Sequence, residues 1–133
     1  MRRQSREIAL QILFQIEYAP QISFDEMLTL FEEKKDSALI KYADEIIRGV
    51  QANLANIDLK IQEASRHWKI ERMGGVDRNI LRLAVFEIFY ANEVIEHKIA
   101  INEAIEIAKI FGSQESASFV NGLLDQIVRN ERR

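Results

Sequence analysis

Residues Ile99–Leu124, IAINEAIEIAKIFGSQESASFVNGLL, contain the clearest helical pattern in the chain. Apolar residues recur every three or four positions on either side of a Gly-Ser break. Gly112 suits the end of a helix because glycine takes positive φ angles easily, and Ser113 is placed to cap the helix that follows. Gly122 lies inside the second helix and lowers its stability, so it needs a reason such as close packing. We therefore predict two packed helices joined by a tight turn.

The segment upstream of this hairpin, Asp77–Ala91, is apolar nearly all round, which predicts a central helix buried on most sides. Arg82 lies within the apolar run, and a buried guanidinium needs a partner. The spacing of Asp77, Arg78 and Arg82 places at least two of them near one face. They are interpreted either as an internal salt-bridge or capping set, or as a charged patch that meets a protein partner or RNA.

A single long helix is predicted over Ser37–Ser65, with a heptad seam of apolar residues. The seam consists of Ala43, Ile47, Val50, Leu54, Ile57 and Ile61. Gly49 beside it indicates a close approach to another helix. A shorter helix is predicted over 23–31, with Ser23 as its N-cap. His67 and Trp68 follow the long helix and are expected to be packed or capping residues rather than a ligand or a base.

The first helix is predicted over Ser5–Tyr18, with Ser5 as N-cap and Pro20 after its end. Arg2, Arg3 and Arg6 crowd its N-terminus, where the helix dipole already supplies partial positive charge. A bound polyanion would remove this conflict, since backbone N–H groups and arginine side chains would both point at phosphate. The alternative interpretation is an ordinary solvated basic terminus.

The composition excludes several classes of function but does not indicate one. The chain has 133 residues, 47% of them hydrophobic and 29% charged, with a net charge of −3, which suits one soluble domain. It has no cysteine and two histidines, so disulfides and thiolate sites are excluded and we predict no metal or cofactor. No signal peptide or membrane span is apparent, which predicts a cytoplasmic protein. Catalytic motifs are also missing, so a helical binding or adaptor module is favoured over an enzyme.

Three blocks of sequence resemble the NusB family of transcription antitermination factors. They are RRQSREIALQILFQIE at residues 2–17, WKIERMGGVDRNILRLAVFEIFY at 68–90 and KIAINEAIEIAKIFGSQESASFVNGLLDQ at 98–126. The blocks occur in the order and spacing of the family, and the resemblance extends nearly from end to end.

The resemblance implies an all-α fold, a compact bundle of about six to seven helices in two three-helix halves. The chain is then a single domain over 1–133, with an N-terminal half of about 1–66 and a C-terminal half of about 67–133. The family binds boxA, a single-stranded element of nascent ribosomal RNA, as a heterodimer with the ribosomal protein NusE. This unit joins RNA polymerase and other Nus factors and suppresses termination. Whether the free protein forms a homodimer is left open.

The resemblance also assigns roles to individual residues. Those matching the RNA-binding segments are Arg2, Arg3, Arg6, Gln11, Phe111, Gly112, Glu115 and Ser116. Those matching contacts to the partner protein are Phe14, where the family often has tyrosine, and Asp77, Arg78 and Arg82. Two other functions stay open: the RNA-binding domain of a ribosomal RNA methyltransferase, which the short chain argues against, and a helical module that binds only protein.

Overall fold

The computed structural model describes residues 2–32 and 36–131, and these ranges form seven α-helices and no β-strand. The helices are α1 (Arg2–Tyr18), α2 (Phe24–Glu32), α3 (Ser37–Ala52), α4 (Leu54–Ala64), α5 (Gly75–Val85), α6 (His97–Phe111) and α7 (Ser116–Glu131). A 3-10 turn over Ile70–Arg72 precedes α5, and a π-helical turn over Phe86–Tyr90 continues it. The predicted all-α fold is confirmed. Within these ranges, no helix has the length and apolar character needed to cross a membrane.

Helix α5 occupies the centre of the bundle, as predicted from its nearly continuous apolar sequence. It packs against α1, α3, α4, α6 and α7. Its side chains Ile80, Leu81, Leu83, Ala84 and Val85 are buried. Helices α6 and α7 form the hairpin predicted from residues 99–124, while α1 packs on α2 and α3. One apolar core therefore joins the two ends of the chain.

The predicted single helix over residues 37–65 is wrong, because Asn53 divides it into α3 and α4. Asn53 has φ −114° and ψ 16°, and its side-chain amide donates to the Gly49 carbonyl at 2.8 Å. Its backbone N–H donates to the carbonyls of Gly49 and Val50. The apolar seam is buried on both sides of the break, apart from the partly exposed Leu54. Periodicity alone therefore did not reveal the interruption.

The surroundings of three glycines show whether each position requires a residue without a side chain. At Gly49 an added Cβ would lie 2.0 Å from the Phe86 ring, which confirms the predicted close approach. Gly112 has φ −95° rather than a positive φ, and it is required because a Cβ would lie 2.4 Å from Ser116 Oγ. Gly122 is exposed, and no atom lies within 4 Å of a Cβ built there. The predicted close packing at Gly122 is therefore wrong.

Two predicted N-caps have different outcomes. Helix α1 begins at Arg2, so Ser5 lies inside the helix, buried, with its hydroxyl donating to the Leu39 carbonyl at 2.9 Å. Ser5 is thus a contact between helices rather than a cap, and Arg2, Arg3 and Arg6 lie on the first turns of the helix. Ser23 is confirmed as the cap of α2, since its hydroxyl accepts from the backbone N–H of Glu26 at 3.2 Å.

Candidate nucleic-acid and protein interfaces

Arg2 and Arg3 lie at the start of α1 with their side chains about half exposed. Arg3 forms a bidentate ion pair with Glu103 of α6, in which Nε and Nη2 donate to the two carboxylate oxygens at 3.0 and 2.8 Å. The hydrogen bond and charge of Arg3 hold the pKa of Glu103 below its usual range. Arg2 lies over the Tyr42 ring, 4.6 Å from its centroid, and 4.0 Å from the Glu93 carboxylate. Both cations are thus accessible but already near acids.

Arg6 differs from its two neighbours because its side chain is buried. The residue is 4% exposed, and its Nε donates to both carboxylate oxygens of Glu87 at 2.8 and 3.0 Å. Nη1 also donates to Glu103 at 3.1 Å. Glu87 is completely buried and accepts a further hydrogen bond from the Tyr42 hydroxyl. Arg6 was predicted, with Arg2 and Arg3, to meet RNA phosphates; in the structure its guanidinium is buried and neutralises the Glu87 carboxylate.

Glu87 is the residue of this network that the sequence analysis missed. It lies in the π-helical turn, where its backbone carbonyl accepts from Ile95 N–H at 2.9 Å. Burial and the hydrogen bond to Glu87 raise the pKa of Tyr42, so the phenol stays a donor. A signal was available: a carboxylate inside a run as apolar as Phe86–Tyr90 requires a buried cation, by the argument applied to Arg82.

Arg78 and Arg82 form the internal salt-bridge set that was one of the two interpretations of their spacing. Arg82 donates to both oxygens of Asp58 at 2.8 and 2.9 Å and also pairs with Glu17. Arg78 pairs with Glu17 and donates to the Met73 carbonyl at 2.7 Å. Burial acts to raise the pKa of Glu17, but the two arginines lower it overall. Both guanidiniums are mostly buried and form internal ion pairs, whereas they were predicted to contact the partner protein.

A groove of about 680 Å³ lies between α1, α2, the start of α5 and the end of α6. Its lining is mainly apolar and includes Gln11, Phe14, Met27, Leu30, Val76 and Phe111. The Phe14 ring rests against Gly75, where an added Cβ would lie 3.0 Å from the ring, and stacks near Tyr18 with centroids 4.7 Å apart. Asp77 is half-buried beside Val76. The structure thus brings together two predicted RNA residues, Gln11 and Phe111, and the predicted partner residue Phe14.

The turn between α6 and α7 contains the remaining predicted RNA residues. Glu115 is exposed, and its carboxylate accepts from the Ser113 hydroxyl at 3.3 Å. Ser116 is 2% exposed, and its hydroxyl accepts from the Ser113 backbone N–H at 2.9 Å. Ser116 was predicted to contact RNA; it is corrected to a buried residue that closes the turn over Gly112. Ser113 was predicted to cap the next helix, but α7 starts three residues later, at Ser116.

His67 and Trp68, between α4 and α5, depart from the prediction that they are packed or capping. Both side chains are exposed, and Trp68 retains 60% of its accessible surface. The expectation overestimated packing because tryptophan is usually largely buried. The segment therefore adds an exposed aromatic surface that no assigned role explains.

A helical bundle with two cations at a helix end and an apolar groove beside the same helix is typical of a binding protein rather than an enzyme. Within residues 2–32 and 36–131, no group of three or more His, Cys, Asp or Glu side chains is arranged to hold a metal ion. The chain belongs to the NusB family, whose sequence model matches residues 3–129.

Individual relatives cover almost the whole chain. The transcription antitermination protein NusB of Bdellovibrio bacteriovorus is 58% identical over 126 residues, covering 95% of this chain and 93% of the relative. That of Myxococcus xanthus is 41% identical over 131 residues, covering 95% and 93%. The solved structure of T. maritima NusB matches with a TM-score of 0.85 at 37% identity, covering 97% and 91%. A crystal structure of antitermination factors NusB and NusE with double-stranded RNA matches at 0.84 and 24% identity, covering 97% and 96%, and shows the same fold.

Proposed function

We propose that this protein is a transcription antitermination factor that binds boxA-type single-stranded RNA in nascent ribosomal RNA. NusE is its partner, and the complex suppresses termination as part of an RNA polymerase assembly. The protein acts in the cytoplasm and by binding, without a catalytic step or a cofactor. Membership of the NusB family and the antitermination names of its relatives support this function.

The observation that carries the RNA-binding proposal is the exposed pair of cations on the first turn of α1. Arg2 and Arg3 are there despite the partial positive charge of the helix N-terminus. A phosphate bound there receives both guanidiniums and the unpaired backbone N–H groups of the first turn. Arginine suits this role because its planar fork donates two parallel hydrogen bonds. Arg6 supports the surface from inside by fixing α1 to Glu87.

The groove beside α1 is the proposed binding surface for NusE. Phe14 presents a partly exposed aromatic ring in it, and Asp77, on the first turn of α5, directly follows the lining residue Val76. An aromatic anchor in an apolar groove with a charge at the rim is the usual composition of a protein interface. Arg78 and Arg82 contribute indirectly, since their ion pairs with Glu17 hold α5 against the end of α1. The proposed RNA and protein surfaces thus share α1.

The RNA proposal is tested by comparing boxA RNA with a scrambled RNA in the presence and absence of NusE. We expect the complex to bind boxA more tightly than scrambled RNA, and more tightly than either protein alone does. The double variant Arg2→Ala/Arg3→Ala should lose about tenfold in RNA affinity, because two phosphate contacts disappear. Its thermal midpoint should change by less than about 2 °C, as for other exposed substitutions.

Arg48→Ala is the matched control for this double variant. Arg48 is also exposed, also paired with acids, Asp44 and Asp25, and also lies over an aromatic ring, that of Phe24. Its replacement should leave RNA binding unchanged. Equal losses in the control and the double variant would contradict a site at the start of α1. Equal affinity for boxA and scrambled RNA would contradict the sequence-specific function.

The partner surface is tested with Asp77→Ala. We expect weaker binding of NusE and unchanged binding of RNA to the protein alone, because Asp77 follows the groove residue Val76 and lies at the far end of α1 from Arg2. Calorimetry with purified NusE measures the first quantity, and fluorescence anisotropy with labelled RNA measures the second. An unchanged affinity for NusE would exclude Asp77 from the interface.

A further inference from the structure

The segment between α4 and α5 combines exposed cations with the exposed Trp68. We call residues Arg66–Arg72, RHWKIER, the Trp68 segment. Arg66, Lys69 and Arg72 are exposed, and none forms an ion pair with another residue of the described ranges. Glu71 is the one acid within the segment. Its three cations therefore lack an ion-pair partner among the residues that the structure describes.

Unpaired cations are uncommon elsewhere in this protein. Nine of the fourteen lysines and arginines in residues 2–32 and 36–131 lie within 4.0 Å of a carboxylate. Outside the Trp68 segment, the cations in those ranges that lack such a partner are Lys41 and Lys98. Three of the five unpaired cations thus occur within seven consecutive residues. This concentration distinguishes the segment from a generally charged surface.

The conformation that exposes Trp68 is held by hydrogen bonds to its backbone. The Trp68 carbonyl accepts from Gln62 Nε2 and from Ser65 Oγ, both at 2.9 Å. Gln62 also accepts from the backbone N–H of Ile70 at 2.9 Å. Ile70 is buried, and its carbonyl accepts from Arg78 at 3.2 Å. The indole therefore projects from a chain segment that is fixed on both sides.

We propose that the Trp68 segment is a second contact site for single-stranded RNA. A base stacks on the indole of Trp68, and Arg66, Lys69 and Arg72 bind the flanking phosphates. An aromatic platform flanked by cations is the usual arrangement for binding single strands, because every base has a face that stacks. Recruiting these cations breaks no internal ion pair among the described residues, whereas Arg3 must leave Glu103. The site recognises the RNA backbone and base faces rather than a sequence.

The position of the segment makes it an extension of the first site rather than part of it. Arg2 is at one end of α1, and Tyr18 at the other end packs against Gly75, three residues beyond the segment. A helix of 17 residues is about 25 Å long. An RNA strand must therefore extend beyond the Arg2–Arg3 site to reach Trp68. The inference takes RNA as ligand from the proposed function, but it requires neither the boxA sequence nor the first site.

The test uses the emission of Trp68, which is the single tryptophan of the chain. The purified protein is titrated with unstructured oligouridylates of two lengths at several salt concentrations. We expect the RNA to quench the emission, and the longer RNA to bind more tightly. In anisotropy measurements, Trp68→Ala should lose about tenfold in affinity for the RNA, and Trp68→Phe should retain most of it because phenylalanine still stacks.

The cations are tested with the triple variant Arg66→Ala/Lys69→Ala/Arg72→Ala. Loss of three phosphate contacts should reduce the slope of log affinity against log salt by about 2 for a single strand. Lys41→Ala/Lys98→Ala is the control, since it removes the two other unpaired cations of the described ranges, and it should leave the slope and the quenching unchanged. Thermal melting establishes that every variant is folded.

Two results would overturn the inference. One is RNA binding that leaves Trp68 emission unchanged and is insensitive to the triple variant. The other is a response of Trp68 to NusE alone, with the triple variant weakening only NusE binding, which would make the segment a protein-binding site. Failure of the proposed function looks different, since the NusE complex would then not distinguish boxA from scrambled RNA, whatever happens at Trp68.

Discussion

The start of α1 and the Trp68 segment each carry three cations, but the two sets differ in whether the fold places carboxylates beside them. Arg2, Arg3 and Arg6 all lie near carboxylates, and Arg6 is buried. The cations of the Trp68 segment have no such partner within residues 2–32 and 36–131. The number of cations in a stretch of sequence therefore does not measure the positive charge available to a ligand. What matters is which acids the fold places beside them.

The largest expected difference between the two regions is the effect of an arginine-to-alanine substitution on the stability of the protein. Arg6→Ala leaves the carboxylate of Glu87 buried without its cation, and we expect the free energy of unfolding to fall by about 3–5 kcal/mol. Arg66→Ala removes an exposed and unpaired side chain, so the change should stay within about 0.5 kcal/mol. Denaturant unfolding monitored by circular dichroism measures both. Similar small losses in the two variants would show that burial of Arg6 does not distinguish the regions.

RNA affinity should show a smaller difference, which Glu103→Gln reveals. The amide keeps the shape of the side chain and still accepts from Arg6 but releases the charge of Arg3, so RNA affinity should rise about threefold. Asp125→Asn is the control, because Asp125 is an exposed acid of α7 that pairs with Arg129 instead. A lower affinity in Glu103→Gln would mean that Glu103 positions Arg3 for RNA instead of competing with it.

The smallest expected difference concerns pH. Arg3 holds the pKa of Glu103 below the ordinary value of 4.5, and a carboxylate with a lowered pKa stabilises the folded state fully above its unfolded pKa. This contribution is lost as the pH falls through the lowered pKa of the folded state. Glu103→Gln should therefore flatten the dependence of the thermal midpoint on pH below about 4.5, and alanine at Arg66 should leave it unchanged. If the thermal midpoint of Glu103→Gln depends on pH as steeply as that of the unsubstituted protein, the Arg3–Glu103 ion pair does not form in solution.

The sequence predicted those features that depend on neighbours along the helix. The central position of α5 followed from its continuous apolar surface, and the contact at Gly49 from a small residue beside an apolar seam. The hairpin of α6 and α7 followed from a break between two periodic stretches. In each case the controlling residues lie within a few turns of one another, so local patterns contained the necessary information.

The errors concern residues whose state depends on individual side-chain bonds, some to distant parts of the chain and some local. Arg6 was placed with Arg2 and Arg3 because the three are adjacent, but its burial is decided by Glu87, which lies 81 residues away. The break at Asn53 is accompanied by a side-chain hydrogen bond to Gly49, and the unbroken apolar heptad gave no sign of it. Trp68 was expected to be packed, and its exposure depends on Gln62 and Ser65 holding its carbonyl. Periodicity contains no information on such bonds.

The separation of Arg6 from Glu87 also has a consequence for how the chain folds during its synthesis. At about 5–20 residues per second, the ribosome needs roughly 4–16 s after adding Arg6 to reach Glu87, 81 residues further along the chain. Over that interval α1 has no Glu87 with which to pair. The N-terminal helix, although made first, therefore completes its docking only after the centre of the bundle has been translated.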